Sequence, residues 1–350
     1  MRRAVRALLI LLLGGALSGC IGPGYYLQAA GGQWEIWSKR RPIDVVLADA
    51  SAAEKLKARL RHAQQARRFA IEQLGLPDNG SYTRYADLGR SYAVWATFAA
   101  PSDSLTLKSW SFPLIGELSY RGYFDEAAAQ ALAAELRQQG YETSVQGIPA
   151  YSTLGWFADP LLNTHIFWPE SQLAALMFHE MAHELLYIPD DTLFNESFAE
   201  AVAQIGVGRW LQAQGDAAAI AAWRARQQAR AQFLARVADL RDKLEALYAD
   251  KALTTLAMRR RKAGLFADFR VAFVQAQEDG PLAPYARWAL AEDLNNAKVG
   301  SLSLYARWVP AFQRLYEQEG ADLERFIAAA KRLGALPAAQ RRQRMAALLA

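Results

Sequence analysis

The stretch Phe178-His179-Glu180-Met181-Ala182-His183 constrains this chain more than any other. It is an H-E-x-x-H pattern inside an apolar run, Leu173 to Leu186, and that run predicts a buried helix. Residues i and i+4 share a helix face, so His179 and His183 can present two imidazoles to one point. Burying two His and a Glu in such a helix costs on the order of several kcal/mol unless they are coordinated or hydrogen-bonded. The chain has four His in 350 residues, and two of them fall at this spacing. Two readings follow: a pair of core histidines held by hydrogen bonds, or two ligands of one metal ion. Glu196 lies 13 residues beyond His183, inside Asn195-Glu196-Ser197-Phe198-Ala199, and offers a carboxylate from a second helix. Glu200, one turn further on, competes for the same role. Three protein ligands and one open position are what Zn2+ in a hydrolase requires, so a single zinc ion is the cofactor expected. Glu180 is then placed to act as general base toward a water attacking a carbonyl, passing the proton to the leaving amine.

The N-terminus says where such a site would work. Arg2, Arg3 and Arg6 precede an apolar core, Ala7 to Leu13, too short to span a bilayer. The segment ends in Leu17-Ser18-Gly19-Cys20, and Cys20 is the one cysteine of the chain. A lone thiol directly after a secretion signal, with no disulfide partner, reads as a lipidation site, so residues 1–19 are expected to be removed and Cys20 acylated. The four residues resemble a bacterial lipobox. Ile21 follows the cysteine where an inner-membrane lipoprotein would carry Asp, which by resemblance to enterobacterial lipoproteins implies the outer membrane, on its periplasmic face. Without Arg2, Arg3 and Arg6 the formal charge of +5 falls to +2, so no nucleic-acid partner is expected. Nothing in the sequence calls for an obligate protein partner. The remaining chain, 52% hydrophobic and 21% charged over its full length, can fold on its own core.

The pattern along the chain predicts an α+β fold that is mostly helical. Residues 20–90 read as a lipidated start and N-terminal helices: Tyr25 to Lys39, then Ser51 to Leu74, with Ser51 and Glu54 as a capping box and Gly75 as the stop. Residues 91–212 read as a small antiparallel sheet and the H-E-x-x-H core. Tyr92–Phe98, Leu105–Ser111 and Ile115–Tyr120 are rich in β-branched and aromatic residues and predict a meander, followed by an Asp125-capped helix and a strand over Thr143–Ile148. Residues 213–350 read as a helical bundle. In it Phe233, Val237, Leu240, Leu244 and Leu247 form a seam at 4-3-4-3 spacing, one half of a helical hairpin. Residues 20–350 are expected to form one unit. The arginine-rich stretches Arg259–Arg261 and Arg341–Arg342 read as solvated faces, and His62 as a surface residue.

Asn195-Glu196-Ser197-Phe198-Ala199 resembles the Asn-Glu-Gly-Phe-Ala element of gluzincin metallopeptidases, whose Glu is the third zinc ligand. Carried over, the ligand is Glu196, and Glu200 becomes a group behind one of the histidines. Ser197 departs from the Gly of that element. The resemblance extends further. Gly24–Ala29, Arg40–Ile43, Tyr120-Arg-Gly-Tyr-Phe124, Ala150–Pro160 and Leu294-Asn-Asn-Ala297 together resemble a bacterial family of predicted aminopeptidase lipoproteins. The resemblance implies zinc-dependent hydrolysis of peptides. A tetrahedral oxyanion also needs a donor, and Tyr151, His165 and Tyr305 are the candidates. Two other functions fit the same residues: a zinc amidase acting on cell-wall peptides, and an envelope scaffold with a structural, four-ligand zinc in which His165 would be the spare imidazole.

Overall fold

The computed structural model describes residues 22–112, 116–150, 158–278, 280–303 and 308–349. Their order is helices, a strand-rich middle, then helices to the end, an α+β and mostly helical architecture. The centre of the strand-rich part is Val94–Pro101, flanked antiparallel by Arg121–Tyr123 on one side and Tyr141–Ile148 on the other. Its composition follows from being covered on both faces. Alternate residues of a strand point to opposite sides. Ala99 packs with Leu132 and Leu136 of the Glu126–Gln138 helix, whereas Ala96, Phe98 and Ala100 pack with Ala297 of the Asn296–Ser303 helix. Small side chains let both helices approach. The Glu126–Gln138 helix begins where its sequence says it should, with Asp125 accepting from Ala128 N at 2.8 Å.

The expected meander is replaced by two pieces. Trp110–Phe112 and Gly116–Leu118 form a hairpin of their own, and the strand that joins the sheet is Arg121–Tyr123. Beyond that short strand, Lys108 N bonds Ala99 O on Val94–Pro101 at 2.8 Å. Strand propensity is local, but the choice of partner is not. A second small sheet pairs Arg41–Pro42 antiparallel with Arg84–Ala86, and Arg84–Ala86 parallel with Leu161–Leu162. Strands of two or three residues carry no readable period.

Two further differences have local causes. The Ser51–Glu54 capping box does not form. Ser51 turns back, its N and Oγ bonding Asp49 Oδ1 at 2.9 and 2.6 Å, and the helix starts at Glu54 behind an uncapped Ala53. Gly75 closes that helix as expected, at φ +63°. The seam on the long Ala217–Ala249 helix is buried at all five positions, against the Thr255–Glu278 helix that returns beside it. Two large apolar clusters result. One joins the Glu54–Leu74, Glu170–His183 and Thr192–Gln214 helices to the last helices of the chain. The other lies in the hairpin, around Phe233, Leu244 and Phe273.

Candidate metal centre

The Glu170–His183 helix buries Leu173, Ala174, Met177, Phe178, Met181 and Ala182. It starts behind Pro169, with Glu170 in the first turn tied to Arg59 (3.0 Å) and His62 (3.3 Å). His62 is therefore not the surface residue expected: it is buried and packs edge-on against Trp210, ring centroids 6.0 Å apart. The helix stops at His183, a turn short of Leu186, and the following loop is pinned from the next helix. Asn195 holds Ile188 with both ends of its amide, Oδ1 accepting from Ile188 N and Nδ2 donating to Ile188 O, each at 2.8 Å. Asp191 caps the Thr192–Gln214 helix, accepting from Phe194 N at 3.2 Å, and also takes the guanidinium of Arg341 at 2.7 and 2.8 Å. Arg341 is thus buried and structural, not part of a solvated face.

This loop geometry brings Glu196 to the histidines. His179 Nε2 lies 3.2 Å from Glu196 Oε2 and 3.2 Å from His183 Nε2, and His183 Nε2 lies 3.6 Å from Glu196 Oε1. Four ligands at about 2.0–2.1 Å from a tetrahedral ion sit about 3.3 Å apart, close to the spacing of the two Nε2 atoms from each other and of each from one oxygen of the Glu196 carboxylate. Hydrogen bonding accounts for only part of the pair. The two Nε2 atoms face each other, and His183 Nδ1 is buried without a partner among the described residues. The residues present fit a metal of the N/O-binding kind, and His179, His183 and Glu196 form a cluster that could hold one.

Charge around the cluster favours a cation. Burial alone would depress the His179 imidazole, but the carboxylates of Glu196, Glu180 and Glu200 outweigh it and raise it to about 9. Burial and the neighbouring His179 push His183 down to about 4. Burial would raise Glu196, yet the two imidazoles hold it below the usual carboxylate range. Glu200 stands behind the donors. Its Oε2 is 3.8 Å from His179 Nδ1, and its Oε1 is held by Arg230 and by Gln204 Nε2 at 2.8 Å.

Glu180 presents its charge to His179, Tyr82 and Tyr120. Tyr120 sits at the bend before the Arg121–Tyr123 strand, its ring 5.6 Å from that of Phe98. Burial raises its phenol well above the ordinary value, and Glu196 and Glu180 raise it further, so it stays protonated. Tyr187, partly exposed, is raised by burial and by Glu196. Neither was singled out for its chemistry, although Tyr120 opens one of the segments that carry the family resemblance. His165 has a different setting. Its Nδ1 lies 3.2 Å from Pro149 O and its Nε2 accepts from Leu162 N at 3.2 Å, so backbone engages both nitrogens. Ser197, the departure from the glycine of the gluzincin element, accepts from Trp308 N at 3.3 Å and ties the Glu196 helix to the C-terminal helices. Tyr151, Tyr305 and Cys20 lie outside the described residues.

Two imidazoles and a carboxylate, brought together by adjoining helices of a mostly helical α+β chain with a further glutamate beside them, define a candidate metal-binding hydrolase centre. The chain belongs to the family described as "Putative aminopeptidase", which matches residues 24–345 and makes it a peptidase by family. No curated protein and no solved structure matches the chain.

Proposed function

We propose that this protein is a zinc-dependent aminopeptidase, held at the periplasmic face of a bacterial membrane, more specifically the outer membrane, by acylated Cys20. The observation that carries the catalytic part is the cluster of two Nε2 atoms and the Glu196 carboxylate, spaced at 3.2, 3.2 and 3.6 Å, with Glu180 next to it. His179, His183 and Glu196 would hold the ion. Bound there, zinc supplies Lewis acidity and lowers the pKa of water to about 7. Glu180 accepts a proton from the attacking water as the C–O bond forms. It returns the proton to the leaving nitrogen as the C–N bond breaks. Tyr120, kept neutral by its surroundings, donates a hydrogen bond to the carbonyl oxygen as charge develops on it. Glu200, fixed by Arg230 and Gln204, steadies the His179 ring from behind. The envelope location rests on the Leu17-Ser18-Gly19-Cys20 sequence. His165 is engaged by backbone on both nitrogens, which argues against a closed four-ligand scaffold site.

The test pairs metal analysis with hydrolysis. Purified protein should carry one zinc per chain and release the N-terminal residue of unmodified peptides. Glu180→Gln should keep the zinc and lose at least about 100-fold in rate. Full activity of Glu180→Gln would remove the general-base assignment, and zinc retained after His183→Ala would remove the ligand set. Activity on N-acetylated peptides or on peptidoglycan fragments, with none on free N-termini, would replace the aminopeptidase reading by an endopeptidase or a cell-wall amidase.

A further inference from the structure

The Pro23–Lys39 helix has two faces of opposite fate, and both are apolar. On the inward face Tyr25 meets the rings of Phe112 and Tyr123 at 5.7 and 5.5 Å, and Gln28 bonds the backbone of Gly122 and Phe124. Further along, Ile36 is buried, and a side chain at Gly32 would overlap the Phe124 ring. These positions follow the 3–4 spacing of one stripe. The opposite stripe is Gly24, Leu27, Gly31, Trp34 and Ser38, all exposed, with Ala30 exposed beside it. Leu27 is 73% and Trp34 69% exposed, higher than the other large apolar side chains described as exposed, and they lie seven residues apart on one line. That face carries no charge over its length. The first ionisable acid, Glu35, lies off the stripe and is taken by Lys39 and Arg90. At the far end the Arg40 guanidinium rests on the Trp37 ring, 5.3 Å from its centroid.

A helix that needed only to pack inward would place polar residues outward. The position of this one in the chain supplies the occupant. Pro23 is three residues from Cys20, a reach of at most about 10 Å for extended chain, so an acyl anchor on Cys20 would bring the start of this helix to the lipid surface. At 17 residues, and with no described helix long and apolar enough to cross a membrane, it suits an interfacial position. We propose that the Leu27–Trp34 face lies in the bilayer interface and fixes the orientation of the catalytic domain on the membrane. This rests on the reading of Cys20 as a lipid anchor, and it is independent of the metal chemistry. A single acylated point would let the domain swivel. A second, apolar contact about 10 Å further along removes that freedom, with the side chains entering roughly 5–10 Å into the headgroup region.

Because Cys20 is the one native cysteine and would be blocked by acylation, an introduced cysteine takes a label cleanly. Full-length lipoprotein variants Leu27→Cys and Trp34→Cys would be labelled with an environment-sensitive fluorophore. They would be placed in phosphatidylethanolamine–phosphatidylglycerol vesicles containing nitroxide lipid. Val271→Cys and Leu256→Cys, exposed on the hairpin, serve as controls. Labels at 27 and 34 should shift to the blue and be quenched at least about twofold more than the controls. Equal, weak quenching at all four positions in vesicle-bound, acylated protein overturns the helix assignment alone. A blue shift without lipid quenching, accompanied by cross-linked dimers, assigns the face to a second copy of the chain and also overturns it. A mass spectrum showing Cys20 unacylated removes the anchor and this inference with it, while leaving the peptidase reading to be judged by its own assay.

Discussion

At the scale of single residues, the site separates two glutamates that helical spacing alone leaves as competitors. Glu196 and Glu200 are one helical turn apart, yet the first meets both Nε2 atoms and the second reaches only the back of His179. Glu200→Gln should therefore weaken zinc binding by about tenfold, read by competition with a chelator, while Glu196→Gln should abolish it. Tyr120→Phe should lower kcat by about 100-fold with little change in KM, because the lost hydrogen bond matters as the oxyanion forms. His165 should behave otherwise. Burial pushes its imidazole down to about 4, so the folded protein favours the neutral ring. The stability this ring contributes is fully present above pH 6.5, the ordinary imidazole value, and is lost as pH falls through about 4. The span corresponds to about 3 kcal/mol. Urea midpoints of wild type and His165→Asn should converge between pH 7 and pH 4, with peptidase activity at pH 7 retained in the variant.

At the scale of elements, the position of Glu196 depends on a short loop held from several sides. Asn195 grips Ile188, Asp191 caps the helix, and Arg341 reaches Asp191 from near the end of the chain while also bonding Gly334 O and Leu336 O. Asp191→Ala removes a cap and leaves a buried guanidinium without its carboxylate, so a loss of about 3 kcal/mol is expected in denaturant unfolding. The helices here were readable because their signals are local. Gly75 and Asp125 act within a turn of themselves, and each does what its sequence context says. The Ser51 capping box failed for a local reason too, a competing bond to Asp49 two residues away. The strands were less legible. Leu105–Ser111 and Ile115–Tyr120 have the composition of sheet, but only part of each is strand, paired in a separate hairpin.

At the scale of the whole molecule, the hairpin of Ala217–Ala249 and Thr255–Glu278 has its own apolar cluster, distinct from the one behind the Glu170–His183 helix. Arg230 on the first of these helices nevertheless pairs with Glu200, so the seating of the hairpin is coupled to the His179 ring. Arg230→Ala should weaken zinc binding by about tenfold while leaving the unfolding of the hairpin seam unchanged, and Arg230→Lys should recover part of the loss. A double-mutant cycle with Glu200→Gln should show coupling of about 1 kcal/mol or more.

The sequence by itself determined the two histidines and the glutamate between them, because a helix places i and i+4 on one face wherever it is built. It also pointed to Glu196 through a short motif, and it set the order of helices through caps and stops that act over a single turn. Only the tertiary structure decided that Glu196 and not Glu200 meets both rings. Only it brought Tyr120 within the field of Glu196 and Glu180, drew His165 and Arg341 into backbone networks, and left Leu27 and Trp34 facing outward. Each of these depends on contacts between residues far apart in the chain, set by how whole elements pack, and such contacts leave no period or spacing in the sequence from which to read them.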